Sequence, residues 1–321
     1  MQIINDLEHL NITDKTSVAL GNFDGIHLGH QKIMDNAISA AKCDGLKSLC
    51  FTFSNHPFNF ILGREEDDPA AVKLICSEED KIALIEEMGF DILVNVPFDE
   101  CIMKMKAHSF FEDILTGKLN AGHICVGFNY SYGARAEGKP ELLMKECEEA
   151  GIGCSIQDAV RVDGEIVSST LIRDRISAGN MELVRNSLGR PFTVSGMVEH
   201  GNKLGSTKGY PTANIPFPAE RMVPPNGVYF TRTEVGGRIY NSVSNLGTKP
   251  TIDSANQKRS IETYLFDFDG DLYGRKVIVY FDSFSRGEVR FSSKEELFRQ
   301  ISRDCENALE YHIRQANVQR K

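Results

Sequence analysis

Between Ser17 and about Ile156, short apolar runs alternate with amphipathic stretches: SVALGNF, HQKIMDNAISAAK and LKSLCFTF, then EEDKIALIEEM, DILVNV, HSFFEDIL, AGHICVGF and KPELLMKECEEAG. Continuous apolar runs predict strands buried on both faces, and stretches with a helical period predict helices packed over them. Their alternation predicts βαβ units around a parallel sheet, a Rossmann-like α/β fold. A further helical pair, SSTLIRDRISAG and NMELVRNSLG, covers Ser168 to Gly189 and ends before Arg190-Pro191, where proline disfavours continuation. The boundary is set there, giving domains 1–186 and 187–321.

After the boundary the period changes. FTVSGMVEHG, GVYFTRTEV, RIYNSVSNLG, IETYLFDF and KVIVYFDSF are short alternating segments separated by Gly, Pro, Asn and Asp. They predict antiparallel β-structure closing as a small barrel, followed by one terminal helix from about Lys294 to Asn317.

The 321 residues hold 41% hydrophobic and 25% charged side chains, the composition of soluble globular domains rather than of disordered or fibrous chains. No apolar run approaches the roughly 18 to 20 residues that span a bilayer, and MQIINDLEHLNITDK is too polar for a secretory signal, so a cytoplasmic protein without a membrane partner is expected. Eight cysteines stand without a C-x-x-C pair, which argues for reduced, mostly buried thiols rather than disulfides or a zinc ribbon. The net charge of −9 is uneven: residues 1–185 carry 30 acidic and 17 basic side chains, and residues 186–321 carry 15 and 19. An acidic front half lacks the basic face that a nucleic acid needs. Small phosphorylated ligands stay open, because a few backbone N–H groups and one or two cations hold them. The oligomeric expectation is a monomer or weak homo-oligomer.

The stretch VALGNFDGIHLGHQKI, Val18 to Ile33, reads as a buried strand, a glycine-bearing turn and a helix beginning near His30. His27 and His30 would lie at that helix mouth, where N–H groups and the positive dipole end favour phosphate. Imidazoles there can donate hydrogen bonds to oxygens that gain charge as an α-phosphate is attacked, so catalysis would be electrostatic. Gly21, Gly25 and Gly29 would let backbone approach a nucleotide. From spacing alone the same pair reads equally as partly buried side chains, or as metal ligands lacking an obvious third partner.

These residues carry a resemblance. GNFDGIHLGH is similar to the H-x-G-H signature of nucleotidylyltransferases and in particular of bacterial bifunctional riboflavin kinase/FMN adenylyltransferases. FTFSNHP at Phe51 to Pro57, VGFNYSYG at Val126 to Gly133 and SSTLIR at Ser168 to Arg173 extend it. The resemblance implies a nucleotidylyltransferase front domain that transfers an adenylyl group from ATP to FMN, giving FAD and pyrophosphate. Carried over, the nucleotide site falls on Gly21, Phe23, Asp24, His27, His30, Asn129, Ser169, Thr170 and Arg173, with Phe53, His56 and Pro57 by the isoalloxazine. Ser169 and Thr170 at a helix start with Arg173 one turn on could clamp pyrophosphate; equally, Ser169 reads as a helix cap and Arg173 as a surface charge. The chain departs from the family at Asn55, where Pro is common, at Leu171, where a second Arg is often found, and at Tyr130 and Tyr132, where Phe is usual.

In the back half, GMVEHGNKLGSTKGYPTAN places Gly201, Gly205 and Gly209 in a turn whose N–H groups could form an anion nest. Thr212 and Asn214 alternate past Pro211, so they share a face and could hold a hard cation. An inert glycine-rich hairpin would read the same way. GYPTAN, PNGVY at Pro225 to Tyr229, SNLGTKPT and IETYLFDF resemble the riboflavin kinase module. By that resemblance Thr212 and Asn214 bind Mg²⁺-ATP, Asn226 and Tyr229 neighbour the flavin, and Glu262 is the general base for the ribityl 5′-hydroxyl. Glu262 is the single carboxylate in Ser260 to Phe266, and burial there is expected to raise its pKa toward a useful base. Two rivals remain from the sequence: a nucleotidylyltransferase for another alcohol phosphate, and a non-catalytic flavin-binding protein.

Overall fold

The computed structural model describes residues 1–8, 10–65, 68–199, 212–248 and 259–319. Two compact units divide the chain, Met1–Leu171 and Ile172–Lys321.

The first unit is built on six strands, β1 (Gln2–Ile4), β2 (Thr16–Leu20), β3 (Lys47–Phe53), β4 (Ile92–Val96), β5 (Ala121–Gly127) and β6 (Gly153–Gln157), in the order β1-β4-β3-β2-β5-β6. Every pairing in this sheet is parallel, as the sequence pattern predicts. Helices cover both faces: α1 (Leu28–Asp44), α2 (Pro57–Ile61), α3 (Glu78–Glu87), α4 (Glu100–Lys104), the short α5 (Ala107–Ser109), a π-helical segment Phe110–Lys118, and α6 (Pro140–Ala150). The pleat explains the continuous apolar strands. Val18 and Leu20 of β2 pack with Leu49, Phe51, Phe110 and Leu115 on one face. Ala19 points to the other, with Met34 and Ala37 of α1 and Ile85 of α3. The chain leaves β2 through α1 toward β3 on one side, whereas β5 lies on its other side. The carboxyl ends of β2 and β5 therefore flank a topological switch point, where α/β sheets open a ligand crevice. A small hairpin, β7 (Arg161–Val162) with β8 (Glu165–Ile166), precedes α7 (Ser169–Ser177).

The second unit contains α8 (Met181–Leu188), then β9 (Phe192–Met197), β10 (Ala213–Pro216), β11 (Gly227–Val235), β12 (Arg238–Thr248), β13 (Arg259–Leu265), β14 (Lys276–Gly287) and the terminal helix α9 (Lys294–Gln319). The antiparallel order is β10-β13-β12-β11-β14-β9. Its two outer strands meet through a bridge between Glu199 and Asn214, whose N–H···O bond is 2.8 Å, so the sheet curls toward closure. Inside runs a hydroxyl ladder. Thr231 bonds Ser242 and Ser244 at 2.8 Å each, and Ser244 reaches Thr263. These side chains are all fully or almost fully buried, and each polar group satisfies the next. Val228, Val243 and Phe266 pack under Cys305 and Ala308 of α9.

Candidate functional site

The front site is set by how α1 begins. The helix starts at Leu28, not near His30, because His27 is its N-cap: extended at ψ 171°, it accepts the His30 N–H on Nδ1 at 3.2 Å. Accepting there fixes the proton of a neutral His27 on Nε2. The two rings stack with centroids 3.6 Å apart and planes 19° apart, and Phe23 meets His30 edge-on at 5.3 Å. The loop that aims them is tightly constrained. Phe23, Gly25 and Ile26 hold φ of 49°, 80° and 39°, and a Cβ on Gly21 would stand 2.7 Å from the Phe23 ring.

Asp24, expected at the nucleotide, is buried, and its carboxylate takes the N–H of Ile75 at 2.9 Å and of Cys76 at 3.4 Å. Its carbonyl accepts the Ser169 hydroxyl at 3.1 Å, so Asp24 and Ser169 tie the loop to the start of α7. The hydroxyl that caps α7 belongs to Ser168, which takes the Leu171 N–H at 3.2 Å. Thr170 is exposed on the first turn, and Arg173 follows one turn later, half-buried.

Two clefts open around His30. The larger, about 450 Å³, is walled by Phe51, Phe53, Pro57, Phe98, Phe110, Tyr130 and Tyr132, with Gly21 and Phe23 at its base. The smaller, about 250 Å³, is the more polar of the two, with His27, Gly29, Gln157, Asp158, Ser169 and Thr170 beside the apolar Phe128, Val160, Ile166 and Val167. His30, Ile33, Gly127 and Asn129 line both. His56 lies instead in a small adjoining space of about 20 Å³ with Asn55 and Lys81. An aromatic slot and a polar slot thus meet at one imidazole and one amide, which suits a planar ring system in the first and a polar chain in the second.

Two departures from the family pattern acquire physical reasons. Asn55 donates to the Phe98 carbonyl at 3.0 Å and accepts its N–H at 2.7 Å, holding an aromatic wall of the larger cleft; Phe98 in turn meets Phe53 edge-on at 5.2 Å. The Tyr132 hydroxyl donates to the buried Glu146 carboxylate at 2.6 Å, and burial pushes the phenol well above its usual range. Sequence reading missed Phe98, Phe110 and Arg135 as cleft residues, because each lies on a separate segment that only the sheet brings together.

The back site is a row across three strands. Asn214 on β10 stands opposite Glu262 on β13, which stands opposite Asn245 on β12. Directly opposed residues face the same side, so their polar ends converge. Asn214 is 4% exposed, and its Oδ1 has no hydrogen-bond partner among the described residues. Thr212, half-buried, lies two positions before it. Glu262 is only half-buried, not the deeply buried carboxylate that the apolar run suggested, because alternation turns Ile261 and Thr263 inward and Glu262 away from them.

Asn226 donates to Glu288 at 3.4 Å. Tyr229, expected by the flavin, is fully buried against Phe281 and Phe284, both at 5.1 Å, and its hydroxyl bonds the Pro225 carbonyl. Inward alternation on β11 makes it a barrel-core residue and a brace for the PNG turn. Gly201, Gly205 and Gly209 lie outside the described residues. Among the described residues no group of three or more His, Cys, Asp or Glu is placed to hold a metal. The oxygen set of Thr212 and the unpartnered Asn214 does fit a hard divalent cation.

Comparison with known proteins gives two family matches, FAD synthetase over residues 10–171 and riboflavin kinase over residues 188–312. The chain is 36% identical over 298 residues to the bifunctional riboflavin kinase/FMN adenylyltransferase of Bacillus subtilis, covering 92% of each. It is 32% identical over 314 residues to the protein of the same name from Escherichia coli K12, covering 97% of this chain and 98% of the relative. A crystal structure described as a macrolide-efflux protein from Streptococcus pneumoniae superposes with a TM-score of 0.85 at 29% identity, over 95% of this chain and 97% of that one.

Proposed function

The chain belongs to the family of bifunctional riboflavin kinases/FMN adenylyltransferases, and from that premise we propose which of its residues carry each reaction. It phosphorylates riboflavin to FMN with ATP and adenylylates FMN with ATP to FAD. We assign adenylyl transfer to residues 1–186 and the kinase to residues 187–321.

The observation that carries the assignment is the stacked His27–His30 pair at the head of α1, where the aromatic cleft meets the polar one. The flavin ring occupies the larger cleft beside Phe53 and Pro57, with His56 behind them, and ATP the smaller beside Ser169 and Thr170. A phosphate oxygen of FMN attacks the α-phosphorus of ATP, the bond to the β-phosphate oxygen breaks, and pyrophosphate leaves. His27 Nε2–H and the His30 imidazole donate to the oxygens on which charge accumulates, Asn129 orients the phosphates from the shared wall, and Arg173 holds the leaving pyrophosphate. Gly21 and Phe23 shape the base of the flavin cleft, and Asp24 holds their loop.

In the kinase site Glu262 takes the proton of the ribityl 5′-hydroxyl as its oxygen attacks the γ-phosphorus and ADP departs. Thr212 and Asn214 would hold Mg²⁺ with ATP, and the cation would neutralise phosphate charge there; Gly201, Gly205 and Gly209 are assigned to the same nucleotide. Asn226 borders the flavin. The protein acts on small molecules in the cytoplasm as a monomer or weak homo-oligomer, without nucleic acid or membrane. The excess of 30 acidic over 17 basic side chains in residues 1–185 supports the first exclusion. No described helix is long and apolar enough to cross a membrane. We take no transport role from the name of the Streptococcus relative, because both family matches describe flavin chemistry over the same residues.

Incubation with riboflavin, ATP and Mg²⁺ followed by flavin chromatography tests the proposal. FMN followed by FAD is expected. Neither product would overturn it in favour of a binding protein, and FMN without FAD would redirect the front site to another alcohol phosphate.

A further inference from the structure

The loop after β5 contains backbone that ordinary side chains avoid. Arg135 and Ala136 follow one another with φ of 55° and 56°, in the left-handed region that glycine normally supplies. The bend is clamped. The Ala134 N–H bonds the Met105 carbonyl at 2.7 Å, the Ala136 N–H bonds the Gly133 carbonyl at 3.0 Å, and the Glu137 carboxylate takes the Ala107 N–H at 2.8 Å. A Cβ on Gly133 would lie 2.6 Å from the Ala107 backbone, so the loop presses directly onto that segment. The clamp keeps this backbone in a costly conformation and so fixes where its side chains are presented.

What it presents is a guanidinium. Arg135 lines the larger cleft and is the one permanently charged side chain among the residues lining it; no carboxylate is among them. Exposed at this bend, it makes no ion pair or hydrogen bond with any described residue, and the neighbouring Glu137 carboxylate takes the Ala107 N–H. The rest of the wall is mostly aromatic and aliphatic, with the polar side chains of Asn22, His30, Asn129 and Ser131 among it, which accommodates a flavin ring but leaves the dianionic phosphate of FMN without a permanent counter-charge. A planar cation with paired donors matches a phosphate.

We propose that Arg135 is a substrate-positioning residue that binds the phosphate of FMN and so makes the front site select phosphorylated flavin. The proposal rests on the reading of this cleft as the FMN site. Arginine can also stack on a flavin face, which would serve the bare ring equally well; a selective effect on the phosphate separates the two.

The test is steady-state adenylylation of supplied FMN by the full chain, with lumiflavin, the ring without a ribityl phosphate, as competitive inhibitor. Arg135→Gln should raise KM for FMN roughly tenfold, as loss of a charge-assisted contact does. KM for ATP, kcat and the inhibition constant of lumiflavin should stay within twofold. Arg135→Lys should recover most of the loss. Arg135→Gly, which relieves the left-handed backbone, should match or exceed the wild-type Tm yet share the higher KM; a purely structural role would move the two together. Unchanged KM for FMN in Arg135→Gln, or a parallel weakening of lumiflavin, would overturn the proposal while leaving the adenylyltransferase intact. A wild-type protein that makes no FAD from FMN and ATP would instead defeat the reading of the cleft.

Discussion

The Nδ1 of His27 accepts the backbone N–H of His30 at 3.2 Å, so one imidazole both caps α1 and stacks on the second imidazole of the pair. The two jobs separate by substitution. His27→Asn retains a capping acceptor and removes the ring, whereas His27→Ala removes both. Each should lower FAD formation from FMN by roughly 100-fold or more, the usual effect of deleting a donor to developing charge. His27→Ala alone should also lose about 1 kcal/mol of stability. Thermal melts beside FMN-to-FAD assays decide this, and riboflavin phosphorylation in the same samples should be unchanged. Equal stability of the two variants would contradict the capping role.

Asn55 holds Phe98 through two hydrogen bonds to its backbone, at 3.0 and 2.7 Å, and Phe98 forms part of the aromatic cleft. Asn55→Ala leaves the partly buried amide and carbonyl of Phe98 unpaired, at a cost of about 1–3 kcal/mol. A loosened wall should raise KM for FMN several-fold with KM for ATP little changed. Melting curves and the two KM values check it; a change confined to ATP would reject the assignment of the clefts.

The architecture was legible because its causes are local. Val18-Ala19-Leu20 must be buried on both faces, and the glycine turn before His27 must end a strand and begin a helix, so the α/β core and the helix mouth followed from period alone. The position of the α1 start was harder, since a histidine is an uncommon cap and its role depends on the ring reaching back to His30. Tyr229 and Glu262 show a different limit. In a half-wrapped barrel, alternation says which residues share a face but not which face is the interior, and the inward face proved to carry Tyr229, Ser244 and Thr263. Arg135 was missed because GAR reads as a polar turn; its left-handed backbone is a property of the clamp from Met105 to Ala107, distant in sequence.

His312 of α9 is buried, its Nε2 3.2 Å from the Ser242 carbonyl, and desolvation holds its pKa below the ordinary value for histidine. His123 is shifted in the same direction by burial. An unfolded chain takes up protons on these rings before the native protein does. Their contribution is therefore intact above about pH 6.5, the unfolded value, and declines as pH falls toward the lower folded values. Tm should drop between pH 7.5 and 5.5. His312→Gln, which keeps a donor for the Ser242 carbonyl but does not titrate, should make that drop shallower. A drop as steep as in the wild type would assign the acid sensitivity elsewhere.

Asn214 keeps a buried side-chain oxygen without a hydrogen-bond partner among the described residues, on the strand position opposite Glu262. An unpaired buried acceptor costs about 1–3 kcal/mol unless a ligand takes it up. If that ligand is a divalent cation brought with ATP, binding and stability are linked by mass action. Replacing the amide by an apolar side chain of similar size, Asn214→Leu, should then leave the ligand-free protein at least as stable as the wild type. Mg²⁺ with a non-hydrolysable ATP analogue should raise the wild-type Tm by more than the analogue with EDTA, and the variant should lose most of that metal-dependent increment. FMN formation should fall at least tenfold while FMN-to-FAD conversion persists. Because the front site also binds ATP, the decisive quantity is the difference between the Mg²⁺ and EDTA arms, and an identical difference in both proteins would exclude Asn214 from the metal site.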